Sequence, residues 1–387
     1  MTTALVADAR ALDGAFATLA LVQPLAWIPR RQPVLTVARS DIQFDLDPYV
    51  PAPVVVEGVQ VRFPPVHTVF ATARLGGTPT RRDQDTLAAA LARIEDVYPW
   101  SPAGVLTYLA YGLPYFHRLP AGLFALHVPR LLSNTNRFVL EEAVPGPTDR
   151  APLIEQNDLL ITLRGDDPEY LADVLGWLAG SDDLGGRPDP SPRVEGGLEF
   201  TSGRAMFTQL GLPRSLAASV RLPYAGLVSP RSPSWMGTVE PDGGVPAHQV
   251  AFRGTAATRY TTALAGDYFD HGAIQHLAHE VLDLPRFYAG GDTEFIARVQ
   301  HLYRDRDHVT VGPGPVHQRW DGPGFDGLDA AGGERLPKNQ SATFVPSAAA
   351  YSALRPHGLE RFLTATRRQN FLAPPRRHRA FPLLELS

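Results

Sequence analysis

Two imidazoles and two carboxylates fall inside one apolar stretch, Gly272 to Tyr288, which reads GAIQHLAHEVLDLPRFY. His276 and His279 are three residues apart, and Asp283 follows four residues later. On a helix those positions share one face. Ile274, Leu277, Ala278, Val281 and Leu282 would then form an apolar stripe beside it. Imidazole and carboxylate donors side by side suit a transition metal such as copper, iron or zinc. If the segment is instead a strand, His276 and His279 point to opposite sides, and only one can face a given pocket. The helical and extended readings both stay open on these residues.

Other residue types narrow the chemistry. The chain has no cysteine among its 387 residues, which removes disulfides, thiolate nucleophiles, iron–sulfur clusters and thiolate-held zinc. Its one lysine, Lys338, sits in a polar PKNQ stretch that reads as loop, so a Schiff-base mechanism has a single weak candidate. The net charge of −4 gives no electrostatic footing for nucleic acid. No P-loop, GxGxxG after a strand, GxSxG or HExxH motif occurs. The apolar N-terminal run Ala15 to Ile28 is preceded by Asp8 and Asp13 and broken by Pro24. It reads as a helix packed on the domain, not as a secretory leader or a spanning segment, and the expected location is the cytoplasm.

The elements that must position these residues alternate in a recognisable way. Residues 30–64 are proline-rich, with VVVEGVQVRF as a strand. Val66 to Leu75 reads as a strand, Arg82 to Tyr98 as a helix opened by Asp83 or Asp85, and Gly104 to Tyr111 as a second strand. A proline-rich loop follows, carrying His117 among aromatics, which reads as structural. Asp158 to Leu163 is the third strand. Asp167-Pro168 then opens a helix with an N-cap and the favoured first-turn proline. Gly196 to Phe207 closes the unit. This is the strand–helix–strand–strand–helix–strand order of a ferredoxin-like unit.

Residues 181–195 and 208–247 read as loops or a junction. A second unit is expected beyond them: a strand at 248–254, the Gly272 stretch, a helix capped by Asp292, a strand at 341–346 and a helix over 359–368. The fold class expected is α+β, two ferredoxin-like halves after an N-terminal extension. The boundaries are 1–60, 61–210 and 211–387. PPRRHR at 374–379 reads as a solvated basic turn, with an anionic cofactor edge or a partner's acidic face as the functional alternative.

Several pieces together resemble the DyP-type peroxidase superfamily. They are NDLLITLRGDDPEYL at 157–171, VAFRGT at 250–255, the Gly272 to Tyr288 stretch, SATFVP at 341–346 and NFLAPPRRHRAFP at 370–382. Gly272, His276, Leu277 and Phe287-Tyr288 are similar to a GxxxHVxxxxxxxxxWY shape in a side branch of that superfamily. The resemblance implies a duplicated ferredoxin-like fold, a dimeric α+β barrel, and heme as cofactor. It also implies an oxidoreductase with peroxidase-like ancestry. His276 or His317 would be the axial ligand, and Arg253 would contact an anionic heme edge or substrate.

The catalytic set differs from the family's pattern. Where the family carries a GFxDGT-like segment, this chain has Phe252-Arg253-Gly254-Thr255, without the acid; Glu240 and Asp242 are the nearest substitutes. The place of the proximal histidine falls on Asp283, and Arg335 alone stands near the place of the distal arginine. The expected chemistry is therefore not standard peroxide cleavage, and Arg253, Asp242 and Asp283 are its candidate catalytic residues. Two alternatives stand beside heme. One is a mononuclear metal site of His276, His279 and His317, with Asp283 as a further ligand or as acceptor for an imidazole N–H. The other is a non-catalytic scaffold with a filled pocket. The expected partner is a small-molecule substrate, with no nucleic acid or membrane; a homo-oligomer stays open.

Overall fold

The computed structural model describes residues 9–21, 43, 54–56, 59–61, 65–131, 134–145, 149–195, 197–207, 212–228, 230, 235, 261–264, 266–270, 272–289 and 362–386. Arg253, Asp242 and His317 lie outside these residues. So do Glu240, Arg335, Lys338 and the elements expected at 248–254, Asp292 and 341–346.

A short helix, α1 (Asp13–Leu21), comes first, and the valine-rich run at 54–61 is two paired strands, β1 (Val54–Val56) and β2 (Val59–Val61), not one. The first unit follows. Strand β3 (His67–Leu75) leads to α2 (Arg81–Val97), whose N-cap is Thr80. Thr80 and Asp83 form a reciprocal capping box, so Asp83 acts from the third helical position and not as the cap itself. Strand β4 (Leu106–Tyr111) is followed by two short helices in the expected loop, α3 (Leu113–Arg118) and α4 (Leu123–His127). Then come β5 (Leu153–Ile154), β6 (Leu159–Gly165), α5 (Pro168–Leu178) and β7 (Leu198–Phe207). Asp167 caps α5 through the Glu169 amide at 2.9 Å, with Pro168 at the first helical position.

Strands β4, β6, β3 and β7 lie in that order, all antiparallel. Numbered by appearance in the unit, this is 2-3-1-4, the ferredoxin-like order, so the α+β class is as expected. Register assigns the two faces of the sheet. Val69, Ala71 and Ala73 of β3 share one face with Leu159, Ile161 and Leu163 of β6, under Leu87, Leu91 and Ile94 of α2 and Leu171, Val174 and Leu175 of α5. Helix α1 covers the same face at β7. A side chain at Gly203 would run into Leu12 and Ala15 at 2.9–3.0 Å, so only glycine admits that approach.

Beyond β7 the described elements are α6 (Leu212–Ser219), β8 (Ala273–Leu282), α7 (Leu284–Ala289) and β9 (Leu363–Ala373). Two expectations change here. The Gly272 stretch is extended, so the strand alternative holds. The helix expected over 359–368 gives way, from Leu363 onward, to strand β9. Both have one cause: β8 and β9 pair antiparallel along the whole length of β8, from Ala273↔Ala373 to Leu282↔Leu363. Each supplies the other's backbone partners, and that outweighs the helical spacing of their apolar residues. Strand β9 also pairs with β4 at Tyr111↔Leu372 and with β5, joining the second unit's strands to the first unit's sheet.

The C-terminal segment after β9 returns to the first unit. Tyr111 and Tyr115 donate their hydroxyls to the carbonyls of Arg379 and Pro382, and Gln84 holds the carbonyls of Ala380 and Phe381. The PPRRHR turn is only partly solvated: Arg377 is exposed, while its other two arginines turn inward. Arg376 and Arg379 reach the buried Glu95 carboxylate at 2.7 and 2.6 Å, and Arg376 lies 4.2 Å from the Trp100 ring centre. Among the described residues no helix is long and apolar enough to cross a membrane.

Candidate functional site

His276 sits on β8 directly opposite Asn370 of β9. Its Nε2 lies 3.0 Å from Arg368 and its Nδ1 2.7 Å from the Asn370 side-chain oxygen. A guanidinium can only donate. Nε2 is therefore the acceptor, and Nδ1 carries the proton and donates to Asn370. Burial, with a smaller push from Arg368, lowers the imidazole pKa to about 4; the Asn370 bond and Asp149 oppose the shift. His276 is thus neutral near neutral pH, and both its nitrogens are committed.

Arg368 is itself 1% exposed and is held by the fully buried Asp149 carboxylate at 2.6 and 3.3 Å. Asp149 also accepts the Ala365 amide, and Asn370 donates to the Glu141 carbonyl. The group ties β8 and β9 to residues 141–149. It is a closed polar network with every named atom paired.

The imidazoles expected to converge do not. His279 is exposed and lies three residues along the same strand, so it projects from the opposite face. Asp283 is also exposed; its carboxylate accepts the Arg286 amide at 3.1 Å, at the start of α7. The expected stripe of His276, His279 and Asp283 is a helical construction, and the strand dissolves it. Among the described residues no group of three or more histidines or acids is placed to hold a metal ion. Phe287 and Tyr288, the aromatic end of the motif, pack into a small core with Phe362. Gly272 is where β8 begins against Phe269 and the Ala373 carbonyl; a Cβ there would come within 2.5–2.8 Å of them. His117 lies on α3 with its ring 5.6 Å from Phe124, in keeping with a structural role.

One histidine that the sequence reading passed over is His67, at the start of β3. It is 1% exposed, its Nδ1 has no hydrogen-bond partner, and burial lowers its pKa to about 4 against an upward pull from Asp167. It lies on the helix-covered face of the sheet.

The other face of the sheet carries a different chemistry. Register places Tyr108, Thr162, Phe70 and Arg204 in one row across β4, β6, β3 and β7. The neighbouring rows are Ala110, Leu160, Thr72 and Ser202, and Leu106, Arg164, Thr68 and Met206. Leu277 of β8 and Phe371 and Ala373 of β9 join Ala110, Leu160 and Phe70 in an apolar cluster on this side. Gln275 lies opposite Phe371, on that same face. Within and around the cluster, Thr162 Oγ1, Gln275 Oε1 and Arg164 Nε are buried and have no hydrogen-bond partner. Buried polar atoms in folded proteins nearly always find a partner, so several orphans on one face single it out as the candidate binding surface. No motif announces this face; only strand register assembles it.

A DyP-type peroxidase from Cellulomonas bogoriensis is 13% identical, with a TM-score of 0.47 over 84% of this chain and 95% of that one. A DypB variant of Rhodococcus jostii in complex with heme is 14% identical, with a TM-score of 0.45 over 81% and 95%. A dye-decolorizing peroxidase from Bacteroides thetaiotaomicron is 12% identical, with a TM-score of 0.45 over 81% and 94%. No curated protein matches the chain. The family model that does match spans residues 65–311, and by that match the chain belongs to DUF7405, a family of unknown function.

Proposed function

We propose that the chain is a heme-dependent oxidoreductase on a duplicated, DyP-like ferredoxin scaffold, acting on a small molecule in the cytoplasm by chemistry other than standard peroxide cleavage. The halves meet near residue 210 in this reading. The observation that carries it is the buried face of the sheet turned away from α2 and α5. Phe70, Leu160, Leu277 and Phe371 form an apolar plate, and Thr162, Gln275 and Arg164 present unpaired polar atoms within and around it. A flat aromatic macrocycle with a polar, anionic edge matches the apolar plate and the donors of Thr162 and Arg164. The apolar plate excludes water from one side of such a ring. Arg164 offers a donor to a carboxylate at its edge, and the Thr162 hydroxyl offers a second.

His276 does not fit the axial role, because its one lone pair already accepts from Arg368. The proposed axial imidazole is therefore His317, with Arg253 as anion contact and Asp242 as acid. When bound, heme supplies redox chemistry at its iron, tuned by the axial ligand. The chain's described residues hold the ring, keep water from it and set its polar contacts. A metal site shared by His276 and His279 loses its footing, since the two rings leave β8 on opposite sides.

The test is an absorption spectrum of untagged protein after incubation with heme. A Soret band is expected, retained in His276→Ala and lost in His317→Ala. Protein that stays colourless would overturn the reading in favour of a scaffold without cofactor. Loss of the band in His276→Ala alone would restore His276 as ligand.

A further inference from the structure

At the β7 edge of the same face, three side chains form a cluster that the cofactor reading does not use. Arg204 of β7 and Arg367 of β9 converge on one oxygen of Glu155, at 2.5 and 3.1 Å. The Glu155 side chain is 6% exposed and that of Arg204 17%. Two guanidiniums over one carboxylate leave a local excess of one positive charge. A guanidinium facing a carboxylate ordinarily engages it with two parallel bonds. Here Arg204 gives one arm to Oε1, an oxygen it shares with Arg367. That leaves Arg204 NH1 a buried donor without acceptor, and Glu155 Oε2 a buried acceptor without donor. Both atoms belong to the one Arg204–Glu155 ion pair.

An occupant that satisfies both must bring an anionic oxygen for the arginine and a hydroxyl hydrogen for the carboxylate. A plain carboxylate fails on the second count. A neutral alcohol leaves the excess charge unanswered. We propose that Arg204, Arg367 and Glu155 form a binding site for a small oxyanion that also carries a hydroxyl, of the α-hydroxycarboxylate or hydrogenphosphate type. The site stands on the cluster's own geometry and does not require heme.

The experiment is isothermal titration of the full chain at constant ionic strength and pH 6 with three probes: sodium glycolate, sodium phosphate and sodium acetate. Saturable binding of glycolate or phosphate is expected, and the tighter of the two identifies the source of the oxyanion. Acetate, which lacks the hydroxyl, should bind about tenfold or more weakly, because it leaves a buried charged acceptor unpaired. Arg204→Gln should abolish binding. Arg367→Gln, at a half-exposed position that leaves the fold intact, should weaken it about tenfold. Acetate binding as tightly as glycolate, or binding unchanged in Arg367→Gln, would overturn the assignment. So would an absence of binding by all three probes, which would leave the two atoms bridged by solvent. The glycolate–acetate comparison is made on the unaltered protein, so it decides the matter even if Arg204→Gln fails to fold.

Discussion

Replacing Arg368 with methionine tests the His276 network most severely. The guanidinium is 1% exposed and makes two bonds to the buried Asp149 carboxylate and one to His276 Nε2. Methionine fills much of the stem's volume, so the loss is electrostatic more than steric. It leaves an ionised carboxylate in the interior facing the Ala365 amide without its principal cation. Breaking one side of a buried ion pair costs about 3–5 kcal/mol. Urea denaturation at pH 7 should show that drop.

The double variant Arg368→Met with Asp149→Leu should recover most of it, since removing both charges removes the desolvation cost with the pair. His276 supplies a second readout. Arg368 is one of the two influences holding its pKa down, so the imidazole should titrate at higher pH in Arg368→Met, followed by its ring-proton shifts. A stability change below about 1 kcal/mol, the range of an exposed pair, or an unmoved His276 titration, would refute the buried network.

Two further outcomes follow from the same structure. His67 and His276 both have folded pKa values lowered from 6.5 to about 4. The folded state therefore binds fewer protons than the unfolded one between those values. Their stabilisation is complete above pH 6.5 and is lost as pH falls from 6.5 towards 4, by up to about 3 kcal/mol for each. Denaturation midpoints across that window should fall steeply, and less so in His67→Gln; a flat profile would contradict the buried neutral rings. Glu95→Ala should free Arg376 and Arg379, which share its carboxylate. The buried cluster should lose about 3–5 kcal/mol, and limited trypsin proteolysis should then cut after Arg376 or Arg377; a tail cut no faster than in the unaltered chain would count against the clamp.

The first unit was readable because its elements follow local rules. Period-2 apolar residues in β3 and β6, a 3.6-residue stripe in α2, and Asp167-Pro168 before α5 all act within a few residues of one another. The second unit was harder for the opposite reason. Ile274, Leu277, Ala278, Val281 and Leu282 fit a helix as well as a strand, and what decides is β9, whose residues lie about ninety positions away in the chain. The register slip between His279 and Glu280 further blurs any alternation. PPRRHR looked solvated because its counter-charge, Glu95, lies on α2, on the far side of the whole chain. The face turned away from α2 and α5 was invisible for the same reason. Tyr108, Thr162, Phe70 and Arg204 share no motif, and become neighbours only when β4, β6, β3 and β7 are laid in register. His276 drew attention by residue type, yet type alone could not say that Arg368 would occupy its lone pair.

The most direct test of the central proposal is heme titration of the Leu277→Arg variant beside His276→Ala and the unaltered chain, with circular dichroism confirming that each is folded. Leu277 belongs to the apolar plate, and His276 projects from the other side of the same strand. The account predicts that the unaltered chain and His276→Ala develop the same Soret band while Leu277→Arg does not. A folded Leu277→Arg protein with an undiminished band, or an unaltered chain with none, would contradict it.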